Sequence, residues 1–240
     1  MESIFELQFS VDNLNPFYGL MSSGRGVIGV KTERVNSDIF PPLADEAYSG
    51  ECFDVRGVIC QSKSCLWKYI GVEPNGSERA QEEYTNNFII YRLAEIYLMK
   101  AEALTQMAIL DGENQELLKE AYETVKVIRD RSTAVPTTDI GQTEGSYSGK
   151  AMEEFVLAER GRELIFEGKR WFDVLRQAKR NNYEGDNLNY LMTLAEYSAP
   201  ASKVNSLKAK YRNYHSHYLP IYSEEIDSNP LLEQNEFYAN

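Results

Sequence analysis

Histidine is scarce in this sequence, which contains only His215 and His217. One residue separates the two, so on a strand both side chains would share a face and could bind a metal together with a nearby carboxylate. A pair of this kind without a third ligand at a fixed spacing is a weak signal for a metal site. We therefore expect neither a metal nor any other cofactor.

Cysteine is also rare, and the three cysteines, Cys52, Cys60 and Cys65, include no CxxC pair. No histidine lies near them, so their spacing is not that of a zinc site. Two interpretations stay open. One is a disulfide with a free thiol in an oxidising compartment. The other, which we favour, is three small buried side chains. None follows an apolar leader, so none is a lipid-attachment cysteine.

The sequence has no apolar run of membrane-spanning length, and its N-terminus lacks the pattern of a signal peptide. Acidic residues outnumber basic ones: the sequence has 37 Asp and Glu and 25 Lys and Arg, which gives a formal net charge of −12. The phosphates of nucleic acid would be repelled by such a chain, so we exclude nucleic acid as a partner.

No nucleophile elbow, phosphate-binding loop or dinucleotide motif is present. Glu159, Glu163 and Glu167 recur at four-residue spacing, and paired carboxylates can act as acid and base in glycoside cleavage. Arginines interleave with them, however, and a neighbouring arginine keeps a carboxylate ionised, which prevents it from donating a proton. We therefore predict a protein that is not an enzyme. In this segment we expect a shielded structural ion network, which comprises Arg160, Glu163, Glu167, Arg170 and Asp173.

Hydrophobic periodicity predicts a mainly α fold with tetratricopeptide-like helical hairpins, long loops and a few short strands. Apolar and polar residues alternate from Phe5 to Val11, which is typical of a strand. A helical stripe begins after Asn86, and a second follows the turn at Asp111-Gly112. Together these stripes predict a hairpin of two antiparallel helices, which must pack on further helices to bury its second face.

A third helical pattern covers residues 152–180 and contains Trp171, which we assign to the core. Gly168 interrupts this pattern, so we predict a break between two helices there. After Asn181 we expect loops, an extended piece at residues 217–222 and a helical turn capped by Ser223. We divide the chain into a strand and loop-rich region, 1–85, a helical core, 86–180, and a loop-rich tail, 181–240.

The segment from Glu159 to Arg176, ERGRELIFEGKRWFDVLR, resembles the signature of the SusD/RagB family of outer-membrane nutrient-binding lipoproteins. Two further segments are similar to family sequences in the same order: NNFIIYRLAEIYLMKAEAL at residues 86–104 and YLPIYSEEIDSNPLLEQNEFY at residues 218–238. The opening ESIFELQFS, residues 2–10, is similar to a strand in the middle of family members. The resemblance implies that this chain is the C-terminal portion of such a protein.

The resemblance also implies a function. Family members bind nutrient oligomers without catalysis, oligosaccharides above all and peptides in some cases, on the outward face of the outer membrane. They deliver the ligand to a SusC-type TonB-dependent transporter and are held to the membrane by a lipid anchor that this chain does not contain. A helical-repeat adaptor for protein partners is the first alternative, and a glycoside-processing enzyme is the second.

Aromatic residues in the loops are the best candidates for ligand contacts. Flat aromatic faces stack on the apolar faces of sugar rings, and binding residues often lie on loops. The resemblance to glycan-binding proteins leads us to predict ligand binding by Phe17, Tyr18, Trp67 and Tyr69. The alternative is that these side chains anchor their loops to the core.

Overall fold

The computed structural model describes residues 2–22, 39–40, 54–58, 67–71, 73–75, 77–134, 138–140, 146–180, 182–185 and 187–239. They form two compact units, Met1–Arg170 and Trp171–Asn240. Helices predominate, so the mainly α fold is confirmed. Within the described ranges, no helix is long and apolar enough to cross a membrane. All three cysteines lie outside these ranges.

The first unit is built from two short strands and a set of helices. These elements are β1 (Ser3–Leu7), α1 (Tyr18–Met21), α2 (Val55–Val58), α3 (Trp67–Ile70), β2 (Phe88–Arg92), α4 (Leu93–Leu110), α5 (Gln115–Arg131) and α6 (Gly149–Glu163), with a 3-10 helix at Gln81–Glu83.

The strand predicted at the N-terminus is present as β1, and it pairs antiparallel with β2. The helix predicted from Asn86 is wrong over Phe88–Arg92, which forms β2. Its run of aromatic and β-branched side chains favours an extended backbone, and β1 supplies the hydrogen-bonding partner that the sequence pattern did not reveal. Helix α4 begins directly afterwards, where the Leu93 amide donates to the Glu2 carbonyl at 2.8 Å.

The predicted helical hairpin is formed by α4 and α5. Gly112 takes a left-handed conformation in the turn between them, with φ of 66°. Asn114 caps α5, because its side chain accepts hydrogen bonds from the amides of Glu116 and Leu117. Small residues on the facing sides let the two helices and α6 approach closely. The core of this unit comprises Ala94, Leu98, Ala101, Leu104, Ala108, Leu118, Ala121, Val125, Ile128, Tyr147, Met152, Phe155, Val156 and Leu164.

The two helices of the hairpin differ on their outer sides. The outer side of α5 is mostly charged, whereas that of α4 carries large apolar side chains in solvent. Leu110 is 88% exposed. The other exposed apolar side chains of α4 are Leu93, Ile96, Met99 and Met107. An apolar surface on both sides of a helix is typical of a helix that is buried on both sides.

The chain breaks between α6 and the next helix, α7 (Arg170–Arg180), as predicted from Gly168. Gly168 has a φ of 74°, and Phe166 is also left-handed at 65°. A left-handed conformation is unusual for a bulky residue and persists only where the surroundings hold it. We call residues 164–169 the signature turn.

The second unit corrects the prediction of a loop-rich tail. Beyond α7 it contains α8 (Asn187–Ser198), α9 (Val204–Tyr211) and α10 (Ser223–Ser228), with 3-10 helices at Ala201–Lys203, Tyr214–His217 and Glu236–Tyr238. The apolar residues of α8 have helical spacing. The helix was not predicted because the segment is short and its apolar pattern is interrupted by Asn and Tyr.

Two smaller predictions for this unit have different outcomes. The extended piece predicted at residues 217–222 begins in a 3-10 helix, so it is wrong at His217. The helical turn is confirmed as α10, whose N-cap is Tyr222 and not Ser223. Trp171 packs half-buried against the core of this unit, which is formed by Val174, Leu175, Ala178, Leu191 and Met192.

Candidate functional site

Three carboxylates are buried along α6 and in the signature turn. Glu159 and Glu163 are four residues apart on α6, so their side chains leave the same face of the helix, and Glu167 lies in the turn. The three side chains are 0%, 3% and 7% exposed. Carboxylates buried this deeply stay ionised only when cations compensate them.

Glu159 is surrounded by three arginines. Its two oxygens lie 2.7 Å from Arg56 Nη1, 3.1 Å from Arg129 Nη1 and 2.8 Å from Arg162 Nε. Burial alone would raise the pKa of the Glu159 carboxyl, but the charges of Arg162, Arg56 and Arg129 outweigh burial and hold the pKa below its usual range. Glu159 is therefore a fixed anion and not a proton donor.

Glu163 has the same kind of environment. Arg92 and Arg131 both donate to Oε1, and Arg56 Nη1 lies 3.1 Å from Oε2. Burial would again raise the pKa of this carboxyl, and the charge and hydrogen bonds of Arg92 and Arg131 lower it below the usual range. A second carboxylate of the predicted acid–base set is therefore also locked in its ionised form.

Glu167 joins the signature turn to β2 and α3. Arg92 donates hydrogen bonds to both of its carboxylate oxygens, from Nη2 to Oε1 at 2.6 Å and from Nε to Oε2 at 3.0 Å. The Lys68 ammonium donates to Oε1 and also to the backbone carbonyls of Glu163 and Ile165, each at 3.1 Å. Burial lowers the pKa of Lys68 even though Glu167 opposes the shift. Lys68 therefore joins α3 to the end of α6 at one point and to the signature turn at two.

The other three members of the predicted ion network also have partners. Arg160 Nη2 lies 3.8 Å from Glu95 Oε1, and Arg170 Nη1 donates to the Leu157 carbonyl at 2.7 Å. Asp173 belongs to the second unit, where its Oδ1 lies 3.0 Å from Arg176 Nη2. Among the five predicted residues, Glu163 and Glu167 are brought together through their shared Arg92.

Sequence reasoning missed most of the cations in this network. They come from α2, α3, β2 and α5, and Arg56 is 103 residues away from Glu159 in the chain. The missed residues are Arg56, Lys68, Arg92, Arg129 and Arg131. The only signal in the sequence was the density of carboxylates at α6, which had to find buried cations somewhere. The network thus joins the helical hairpin to the preceding loop region.

The predicted aromatic residues lie in one cluster of the first unit. The rings of Phe17 and Phe88 are 4.7 Å apart between centroids, and Tyr69 stacks on Phe88 at 5.6 Å. Tyr18 meets the edge of Tyr84 at 5.3 Å. Phe17, Tyr18 and Tyr69 are each half-buried. The structure therefore brings three of the four predicted binding residues together.

Both tyrosine hydroxyls in this group have backbone partners. Tyr18 donates to the Arg79 carbonyl at 2.9 Å, and Tyr69 donates to the Phe166 carbonyl at 3.1 Å. Burial, together with the charge of Glu167, raises the pKa of Tyr69, so its hydroxyl remains a donor. Trp67 is the first residue of α3, but its side chain lies outside the part that the structure describes.

The two histidines do not share a face. His217 is buried, and its Nε2 lies 2.7 Å from the Tyr211 carbonyl, whereas His215 is exposed with Nε2 at 3.3 Å from Glu236. Throughout the described ranges, no three His, Cys, Asp or Glu side chains are grouped so as to hold a metal ion.

Comparison with known proteins connects this arrangement to one family. The model of the SusD family matches residues 62–238. The SusD-like protein P38 of Formosa agariphila is 34% identical over 150 residues, which are 62% of this chain and 24% of P38. The chain thus spans about a quarter of the length of this curated relative.

A solved structure has the same fold. The crystal structure of a SusD superfamily protein from Bacteroides thetaiotaomicron superposes with a TM-score of 0.51 at 20% identity. The superposition covers 98% of this chain and 44% of that chain, so the fold extends beyond the family-model match. Because the family model covers well over half of the sequence, including the signature turn and its carboxylates, the chain belongs to the SusD family.

Proposed function

We propose that this chain is part of a non-catalytic protein that binds nutrient oligosaccharides on the outward face of the outer membrane and passes them to a SusC-type TonB-dependent transporter. Membership of the SusD family, whose proteins are generally carbohydrate or nutrient-binding proteins and not enzymes, carries the proposal. The ion network supports it. A glycosidase needs a carboxylic acid that can give up a proton, and Glu159 and Glu163 are both held ionised by arginines.

The aromatic cluster is the proposed ligand contact in the first unit. Phe17 and Tyr18 keep part of their surface in solvent, while their packing against Phe88 and Tyr84 fixes the orientation of the rings. A ring that is already ordered loses little freedom when a sugar stacks on it. We propose that Trp67 and Tyr69, on the adjacent α3, extend this contact. Anchoring of the loops by the same four residues remains the alternative, and the hydroxyl bonds of Tyr18 and Tyr69 favour it for those two.

Calorimetry with a panel of neutral and acidic oligosaccharides tests the proposal. We expect weak binding by this chain, reduced in Phe17→Ala and unchanged in Phe172→Ala, which removes a 62% exposed ring outside the cluster. An assay for reducing ends should show no cleavage after prolonged incubation. Release of reducing ends that disappears in Glu163→Gln would overturn the non-catalytic assignment. Binding that Phe17→Ala leaves intact would favour the anchoring alternative.

Delivery to a transporter is tested separately. A SusC-type transporter in detergent should retain the chain on a column. If the parent chain binds no SusC-type transporter from an organism that also encodes the chain, this part of the proposal is wrong.

A further inference from the structure

A second group of aromatic side chains lies on the surface of the second unit. The rings of Tyr183 and Tyr214 stack with centroids 4.0 Å apart and 15° between their planes. Tyr214 is 44% exposed, and Tyr218 is 55% exposed with Lys179 Nζ 4.3 Å from its ring centroid. We call Lys179, Tyr183, Tyr214 and Tyr218 the tyrosine platform. It combines flat rings in solvent with a cation at their side.

A buried histidine packs against two of the tyrosine rings of the platform. His217 lies 5.4 Å from the ring of Tyr183 and 5.7 Å from that of Tyr214. A carbonyl only accepts, so Nε2 must carry the hydrogen that points to the Tyr211 carbonyl, and Nδ1 then accepts from the Tyr183 hydroxyl at 3.2 Å. Burial, with the charge of Lys179, lowers the pKa of His217, which keeps this arrangement neutral.

The backbone on both sides of the platform is also fixed. Tyr183 is left-handed, with φ of 63°, a conformation that a bulky residue keeps only where its contacts hold it. The turn that carries Tyr214 is tied at His215, whose amide donates to Asn213 Oδ1 at 3.1 Å and whose carbonyl accepts from Asn235 Nδ2 at 2.7 Å. The rings are therefore ordered before any ligand arrives, which lowers the entropic cost of binding.

The segment that carries Tyr214 and Tyr218 is basic, although the whole chain is acidic, and Glu236 reaches it at 3.3 Å from His215. Residues 201–218 contain four Lys and Arg and no Asp or Glu, in a chain with a net charge of −12. One of the four, Lys208, is neutralised by Glu196, and Lys210 and Arg212 are exposed. Lys179 contacts Tyr218 and forms no ion pair with any residue that the structure describes. A local cationic surface in an acidic protein favours an anionic ligand.

We propose that the tyrosine platform is a binding site for an anionic oligosaccharide. The apolar face of a sugar ring stacks on Tyr214 and Tyr218, and a carboxylate or sulfate of the sugar pairs with Lys179. The inference rests on the proposed function and adds to it a ligand class and a second site, distinct from the aromatic cluster around Phe17. Both anionic groups offer the same chemistry to an ammonium, so the test separates them.

The test is a titration of the chain, with its tyrosines labelled as fluorotyrosine, followed by fluorine NMR. The probes are hexamers of oligogalacturonate, which carries carboxylates, of carrageenan, which carries sulfates, and of maltose-type glucan, which is neutral. We expect a dissociation constant in the millimolar range for at least one anionic probe, a shift of the Tyr214 signal, and weaker binding as salt is added. Tyr214→Ala and Lys179→Met should each weaken binding at least tenfold. Tyr222→Ala, which removes a 62% exposed ring outside the platform, should bind like the parent.

The outcomes separate this inference from the proposed function. If an oligosaccharide binds and the folded Tyr214→Ala variant binds it equally, the platform is wrong while oligosaccharide binding stands. If the neutral hexamer binds as tightly as the anionic ones and Lys179→Met has no effect, the anionic class is wrong. If no probe binds anywhere on the chain, the platform is overturned and the proposed function loses its support in this chain as well. Circular dichroism and thermal melts of each variant distinguish loss of a contact from loss of the fold.

Discussion

Replacing Glu159 by glutamine is the sharpest test of the ion network. The side chain keeps its size, so packing is preserved and only the charge is removed. Arg162 then loses the acid at 2.8 Å, and the arginines that remain around the neutral amide repel one another. Breaking a buried ion pair by removing one partner costs about 3–5 kcal/mol because a charge is left uncompensated. A domain of this size is stable by roughly 5–15 kcal/mol, so the change removes a large part of the stability.

Some of that loss is offset by other partners of the same cations. Arg56 retains Asp54 at 2.6 Å, and Arg129 retains the Thr138 hydroxyl at 3.2 Å. We therefore expect the lower end of the range, about 3 kcal/mol. For a chain of this length each kcal/mol shifts the melting temperature by about 2–4 °C, so Tm should fall by roughly 6–12 °C.

Urea and thermal melts of the parent and the variant measure the effect. The matched control is Glu120→Gln, which removes a half-exposed carboxylate 2.8 Å from Lys100 and should cost no more than about 1 kcal/mol. A Tm for Glu159→Gln within 2 °C of the parent, which corresponds to about 0.5–1 kcal/mol, would refute the reasoning. It would mean that solvent, and not the arginines alone, compensates this carboxylate.

Three further predictions concern acid stability, α3 and the outer side of α4. Because the pKa of Glu159 is below its unfolded value of about 4.3, its stabilisation is present above that pH and is lost as the pH falls through the folded value. Urea melts should therefore show a fall in unfolding free energy below about pH 4 that is smaller in Glu159→Gln, and equal slopes would contradict the shift. Lys68→Met should raise amide exchange across α3 while α4 stays protected, because one hydrogen bond to the end of α6 and two to the signature turn are lost; uniform exchange would argue against this role. Sedimentation should show that the parent chain self-associates through the outer side of α4. The double variant Ile96→Lys, Met107→Lys should reduce this self-association, whereas Val127→Lys, on the exposed side of α5, should not. A monomeric parent would refute this prediction.

The sequence predicts well those features that depend on local pattern. The alternation after Phe5, the turn at Gly112 and the break at Gly168 each follow from short-range periodicity or from a conformation that glycine adopts easily. The boundary of α4 could not be found in this way. The run before Leu93 suits a helix and a strand alike, and only pairing with β1 decides between them.

The site was less predictable because its parts are distant in the chain. The carboxylates of α6 lie together in the sequence, whereas Arg56 and Lys68 come from segments about 100 residues earlier. A single sequence shows that a buried anion needs a cation but does not show which cation supplies it. The helix α8 was missed for a different reason, since Asn and Tyr within a short amphipathic segment gave the pattern of a loop.

The ion network and the aromatic cluster are connected to each other at the signature turn. Lys68 and Tyr69 are neighbours on α3. Lys68 donates to the Glu163 and Ile165 carbonyls, and Tyr69 donates to the Phe166 carbonyl. The Glu163 carbonyl is one that the end of α6 leaves without a helical partner, whereas the other two carbonyls belong to the signature turn. Glu167 adds a charge to the same contact. Glu167, one of the three carboxylates that first suggested catalysis, therefore holds α3, and with it the rings around Phe88, at the signature turn. A variant that weakens the signature turn should thus disturb ligand binding through the position of α3, without any of its carboxylates touching the ligand.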